Sequence, residues 1–183
     1  MSRRKVQVVI LCEGAQDATS AESYLKSKGL APHQIRTVKS PPGRGSGERF
    51  VLDHYPKELA ERRRDSVHRS LAVIIDEDGR GVATRLRQLD QVCAEQDVPA
   101  RTAADRVGVF IPARNIETWL RFLEHRPVNE TDDYSPPGSH APVGCKRHVQ
   151  RLTELCTGDA VPADAPGQLR AACAEASRIL AAD

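Results

Sequence analysis

Aromatic residues are scarce in this chain: one Trp, three Tyr and three Phe among 183 residues. So few rings cannot build the stacking platforms on which RNA-recognition and OB folds hold unstacked bases. Long apolar runs are also missing. The longest, Val8 to Cys12 and Leu71 to Ile75, are five residues each, far below the roughly 20 that span a bilayer. The basic start, Met1-Ser2-Arg3-Arg4-Lys5, precedes an apolar stretch too short for a secretory h-region, so the expectation is a cytoplasmic chain with no membrane contact. No CxxC pair occurs. Cys12, Cys93, Cys145, Cys156 and Cys173 form an odd, scattered set that predicts reduced, mostly buried thiols. Cys145, His148 and Cys156 match no common zinc spacing. Charge of one sign is lacking too, with 27 Lys and Arg against 25 Asp and Glu, a net charge of +2. That excludes a histone-like binder and an acidic tail protein, and leaves nucleic-acid contact to a local patch.

What is present is an alternation of short apolar runs and amphipathic stretches. Val6 to Cys12 is β-branched and nearly continuous, as a strand buried on both faces requires. A helix is expected from about Ala15 to Lys28, with Gly29 as its stop. Ile35 to Lys39 reads as a short second strand, and Ser40 to Gly47 as a Gly/Pro-rich loop. A helix carrying Phe50, Val51, Tyr55 and Leu59 runs into Arg62-Arg63-Arg64, whose alternation with Glu58, Glu61 and Asp65 predicts a solvated face. Leu71 to Ile75 is the clearest strand. Val82, Leu86, Leu89 and Cys93 mark an amphipathic helix, and Val107 to Ile111 a fourth strand closed by Pro112. Ile116, Trp119, Leu120 and Leu123 line one face of the next helix. Pro127 to Gly144 reads as a long loop. Two final helices carry Val149, Leu152 and Cys156, then Leu169, Cys173, Ala176 and Leu180.

This β-α-β-α-β-α-β-α order predicts an α/β fold: a central parallel sheet of about four strands, Rossmann-like, flanked by helices, with a C-terminal helical extension. The expected organisation is an α/β domain over 1–125, a loop over 126–144, and C-terminal helices over 145–183 packed on the same domain. The strands deliver polar residues at their C-terminal ends: Glu13, then Asp76 and Asp78, then Arg114 and Glu117. In open parallel sheets that edge is where sites are built. In extended chain Asp76 and Asp78 would point the same way while Glu77 turns aside. Carboxylates so close repel one another unless a cation holds them, and oxygen donors select Mg²⁺ or Mn²⁺.

Cys12-Glu13-Gly14-Ala15-Gln16-Asp17 resembles the first motif of the Toprim domain, and Ile75-Asp76-Glu77-Asp78-Gly79 resembles its DxD motif. The resemblance spans roughly Val6 to Leu123. It implies that Glu13 serves as acid/base or metal ligand and that Asp76 and Asp78 bind Mg²⁺. Pro112-Ala113-Arg114-Asn115-Ile116-Glu117-Thr118-Trp119-Leu120 is similar to a segment of small stand-alone Toprim-like proteins of mobile elements and phage defence, which often sit beside an ATPase partner. It implies a further site carboxylate at Glu117 and a site lysine at Lys146. The function so implied is a Mg²⁺- or Mn²⁺-dependent phosphodiesterase or endonuclease on DNA or RNA, with a homodimer among its expected partners.

Bland readings stand beside these. Glu13 and Asp17 can serve a helix N-terminus, Asp78-Gly79 a turn, and Glu117 an ion pair with Arg121 one turn on. Arg44, Arg49 and Arg114 are candidates for gripping phosphates. Gly43-Arg44-Gly45-Ser46-Gly47 is no P-loop, since no GK[ST] follows. His54 and His68 read as surface or satisfied histidines. The alternative function is a Toprim-fold interaction subunit, inactive alone and working with an ATPase partner. A receiver or haloacid-dehalogenase phosphatase would place its acidic pair after the first strand, where this chain carries Glu13-Gly14.

Overall fold

The computed structural model describes residues 6–43, 45–64, 69–134, 146–157 and 161–180. The elements run β1 (Val8–Cys12), α1 (Ala15–Ser27), β2 (Ile35–Lys39), α2 (Gly47–Arg64), β3 (Ser70–Ile74), α3 (Val82–Ala94), β4 (Val107–Phe110), α4 (Ile116–Leu123), α5 (Lys146–Thr157) and α6 (Gly167–Leu180). A 3₁₀ turn at Pro32–Gln34, not foreseen in the sequence, leads into β2. The four strands form one parallel sheet in the order β2-β1-β3-β4. The expected α/β architecture is therefore present.

Strand alternation sorts the core into two layers. Val9, Leu11, Leu71, Val73, Val107 and Val109 face α2 and α3, where Val51, Tyr55, Leu59, Leu89 and Cys93 cover them. Val8, Ile10, Ala72 and Ile74 face the other way, onto Ala18 and Leu25 of α1 and Ile179 of α6. β1 and β3 are buried along their whole length, as their near-continuous apolar runs require. Gly108 lets α6 lie directly on β4: a Cβ there would stand 2.8 Å from the Glu175 carbonyl oxygen. Ser70 Oγ donates to the Ile179 carbonyl at 2.8 Å, tying α6 to β3. A further cluster joins α4 to the C-terminal helices through Ile116, Trp119, Phe122, Leu169 and Ala172.

Three expectations are corrected. Arg62-Arg63-Arg64 is not a uniformly solvated face. Arg62 is buried with its Nη2 3.6 Å from Glu58, and Arg63 clamps Asp105 at 2.7 Å and the carbonyls of Pro99 and Ala100. Arg63 and Arg64 are exposed, as expected. The helix end is covered by the turn before β4, which a local charge pattern does not reveal. The thiols are not all reduced either: Cys156 and Cys173 form a disulfide between α5 and α6, 17 residues apart in sequence. The pairing depends on how the two helices pack, so spacing alone carried no sign of it. Cys12 and Cys93 are free and buried, and Cys145 lies outside the described residues. Glu117 and Arg121 form no ion pair; Arg121 instead donates to the Pro127 carbonyl at 3.1 Å and sits over the Tyr134 ring. His54 is satisfied, with Nδ1 2.8 Å from the Phe50 carbonyl, while His68 lies outside the described residues. No helix among the described residues is long and apolar enough to cross a membrane.

Candidate functional site

The chain winds from β1 outward to β2, then crosses back to β3 and on to β4. The order therefore reverses between β1 and β3, and in open α/β sheets ligands bind in the crevice at that reversal, outside the carboxyl ends of the strands. Glu13 follows β1 and Asp76 lies just past β3. Glu13 Oε1 accepts the Asp76 N–H at 2.8 Å, joining the two strand ends across the crevice.

Helix N-termini close around this point. Gly14 donates its N–H to Asp17 Oδ2 at 3.0 Å, so Asp17 caps the first turn of α1, as the bland reading expects. The same carboxylate is buried, only 6% exposed. The start of α2 lies over Glu13. A Cβ on Gly47 would come within 2.7 Å of Glu13 Cβ and 3.0 Å of its Oε2, so a side chain there would displace the carboxylate. Glu117 stands in the first turn of α4.

Arg85 of α3 supplies the opposing charge. It is fully buried. Its Nε donates to the Asp76 carbonyl at 2.6 Å, its Nη1 to Glu48 and to Gln88, and its Nη2 stands 3.7 Å from Asp78 Oδ2. Asp76 is thus held through its backbone on both sides, by Glu13 and by Arg85. Its side-chain Oδ1 is buried with no hydrogen-bond partner.

The electrostatics follow from this crowding. Burial, then the charges of Asp17, Glu13, Glu117 and Asp78, push the Asp76 carboxyl up to about 9. Burial and the Glu13 charge push Asp17 up to about 7 against the pull of the Gly14 N–H. Glu13 is raised by burial, opposed by the Asp76 N–H and Arg85. Glu117 is raised by burial too, with Asp133 adding to the effect and its own N–H opposing it. The carboxylates of two strand ends and two helix starts therefore share one field. A strong shift caused by burial plus named charge partners, in a crevice, marks a candidate functional site.

The other sequence candidates fall as follows. Asp78 is at the edge of the cluster rather than aligned with Asp76. β3 ends at Ile74, Asp78 turns to a left-handed φ of 56°, and its side chain is half exposed beside Arg85. The extended-chain alternation that would have aimed both aspartates together stops before reaching it. Arg114, between β4 and α4, has a φ of 58° and a buried Nε without a hydrogen-bond partner. A non-glycine residue in this region is strained, and such residues cluster at sites. Arg49 is exposed and paired with Asp53 at 2.9 Å. Arg44 lies outside the described residues. Lys146 opens α5, and its side chain lies outside the described residues. The next turn of α5 meets the far end of α4 through His148 and Glu124, 3.0 Å apart, leading away from the carboxylates.

Sequence reasoning missed Arg85, although a signal was there. Arg85 shares the helical face of Val82, Leu86 and Leu89, and a lone arginine on an apolar stripe needs a buried partner. Glu48 and Gly47 carried no comparable mark.

The donor set suits a hard divalent cation: all oxygen, crowded, with one buried oxygen unpartnered. Among the described residues no three Asp, Glu, His or Cys side chains stand in a geometry that could hold a metal ion. Comparison with protein-family models, curated proteins and solved structures finds no match to this chain.

Proposed function

We propose that this protein is a divalent-metal-dependent phosphodiesterase, an endonuclease on DNA or RNA, with a Toprim-like site at the β1/β3 crevice. The observation that carries the reading is Asp76: a buried carboxyl with an unpartnered oxygen, held at its backbone by Glu13 and Arg85, inside a field of like charges. Glu13, Asp76 and Asp78 would hold Mg²⁺ or Mn²⁺, with Glu117 and Asp17 completing the negative field. The ion would supply Lewis-acid stabilisation of a phosphoryl oxygen and an activated water. Arg85 keeps the Asp76 backbone in place and offsets Glu48. Arg114, on the same rim, offers positive charge to a phosphate. With few aromatics, grip on a polynucleotide runs through its phosphates, and binding falls steeply with salt. A role in phage defence or mobile-element biology belongs to this reading through the Toprim-like resemblance.

A second reading has its own support. Among the described residues no three carboxylates stand ready to hold an ion, which favours a site that depends on a partner, such as an ATPase subunit, to draw them together. The test for both is a Mg²⁺- and Mn²⁺-titrated cleavage assay on DNA and RNA. Cleavage that disappears in Glu13→Ala and in Asp76→Ala supports the nuclease. Undiminished cleavage in both variants overturns it. A purified chain that binds metal but cuts nothing supports the partner-dependent reading.

A further inference from the structure

We propose that Arg80, in the turn between β3 and α3, grips the phosphodiester backbone of the substrate beside the carboxylates, together with Arg114 on the neighbouring turn. This role rests on the nuclease reading of the crevice and adds to it a residue that no sequence motif marks. The two turns run side by side beyond the sheet. The Ile75 N–H donates to the Phe110 carbonyl at 3.1 Å, and the Glu77 N–H to the Pro112 carbonyl at 2.9 Å. The first turn then carries Arg80, whose own N–H donates to the Glu77 carbonyl at 3.1 Å, and the second carries Arg114. Arg80 stands between Gly79 and Gly81, at φ values of 71° and 85°, and two residues after Asp78.

The fold has little need of this arginine. Its Nη1 lies 3.2 Å from Glu48 Oε1, and its side chain is 49% exposed. The same Glu48 oxygen already receives Nη1 of the fully buried Arg85, whose Nε holds the Asp76 carbonyl. Arg80 is thus a second cation on an oxygen that is already neutralised, in a half-exposed pair of the kind that contributes little to stability. Among the described residues no other side chain pairs with it. A guanidinium carries five donors in a planar fork that matches phosphate oxygens, so Arg80 has donors to offer a ligand. It is joined to the crevice through only two contacts, Glu48 to Arg85 and Arg85 to Asp76. With the carboxylates engaged by an ion, the flanking phosphates of a polynucleotide need cations of their own. Arg80 and Arg114 supply them without reading a base.

The test measures binding of fluorescein-labelled single-stranded DNA and RNA oligonucleotides to the full chain by anisotropy, with Ca²⁺ in place of Mg²⁺ so that the strand persists, across a range of NaCl concentrations. Arg80→Gln should weaken binding about three- to tenfold whatever the base sequence, and lower the slope of log affinity against log salt by about one. Arg80→Lys, which keeps the charge, should restore the slope. Arg64→Gln, at the far end of α2, should change neither. The melting temperature of Arg80→Gln should stay near that of the wild type, and a large fall would mark a structural role and overturn the proposal. Arg80→Gln binding with wild-type affinity and slope overturns it too, and leaves the nuclease reading standing where the wild type cleaves. A wild type that binds neither polynucleotide overturns both.

Discussion

The two ends of the sheet both bury charge, and they treat it in opposite ways. At the N-terminal rim, buried and half-buried carboxylates of the described residues are paired with arginines. Arg36 grips the buried Glu58 carboxylate with both contacts below 3 Å, Arg62 adds to the same carboxylate, and Arg63 forks onto Asp105. The Arg63 hydrogen bonds hold Asp105 down at about 2. At the C-terminal rim, Glu13, Asp17, Asp76 and Glu117 are raised instead, by burial first and then by neighbouring carboxylates. Arg85 is the buried cation among them, and its Nη1 is engaged by Glu48. Charge kept for structure is neutralised locally; charge kept for a ligand is left in need of one. Under the proposed function, a bound cation balances the charge of the C-terminal rim.

Experiments that alter one rim at a time sharpen this contrast. The largest expected effect is at Arg85. Arg85→Met leaves Glu48 and the Asp76 carbonyl without their buried donor, and should cost about 3–5 kcal/mol in urea unfolding. Reducing the Cys156–Cys173 disulfide follows. Closing a loop of this length is worth about 3 kcal/mol, so a loss of that order is expected under reductant, and Cys156→Ser should reproduce it. Third come neutralising substitutions, which should have opposite signs at the two rims. Asp105→Asn removes a carboxylate that the fold stabilises and should destabilise by about 1–2 kcal/mol. Asp76→Asn removes one that the fold opposes, and should stabilise the metal-free protein at pH 8 by about 1–2 kcal/mol while eliminating metal-dependent cleavage. Destabilisation by both would erase the distinction.

The remaining contrast is the pH dependence. Asp76 and Asp17 have folded-state values of about 9 and about 7, above their ordinary 3.8. Between pH 4 and pH 9 the folded chain therefore holds more protons than the unfolded one. Stability from these groups is full below about pH 4 and is lost as pH rises through their folded values. Metal-free melting temperature should fall from pH 6 to pH 9, and saturating Mg²⁺ should flatten that slope.

How much of this was legible follows from the range of each interaction. β1 and β3 announce themselves by continuous apolar runs and the helices between them by a period of 3.6, because burying one face or both is a local demand on composition. Glu13 and Asp76 were legible for the same reason: each ends a run that has to be a strand, and parallel strands end together. Asp78 was misplaced because β3 ends at Ile74 and the backbone turns at Asp78 itself, where alternation assumes extended chain. The burial of Arg62 and the Cys156–Cys173 bridge depend on contacts between segments far apart in sequence, which no local pattern encodes. Arg85 lies between these cases. Its position on an apolar stripe was readable, but its partners on α2 and the β3 end were not.

The account is tested most directly by calorimetric titration of the purified chain with Mg²⁺ at pH 8, in two buffers of different ionisation enthalpy. If the crevice holds carboxyls protonated until a cation replaces the proton, binding releases protons. The apparent enthalpy then differs between the buffers, and the difference shrinks in Asp76→Asn. Binding without proton release, or no saturable binding up to millimolar Mg²⁺, would contradict it.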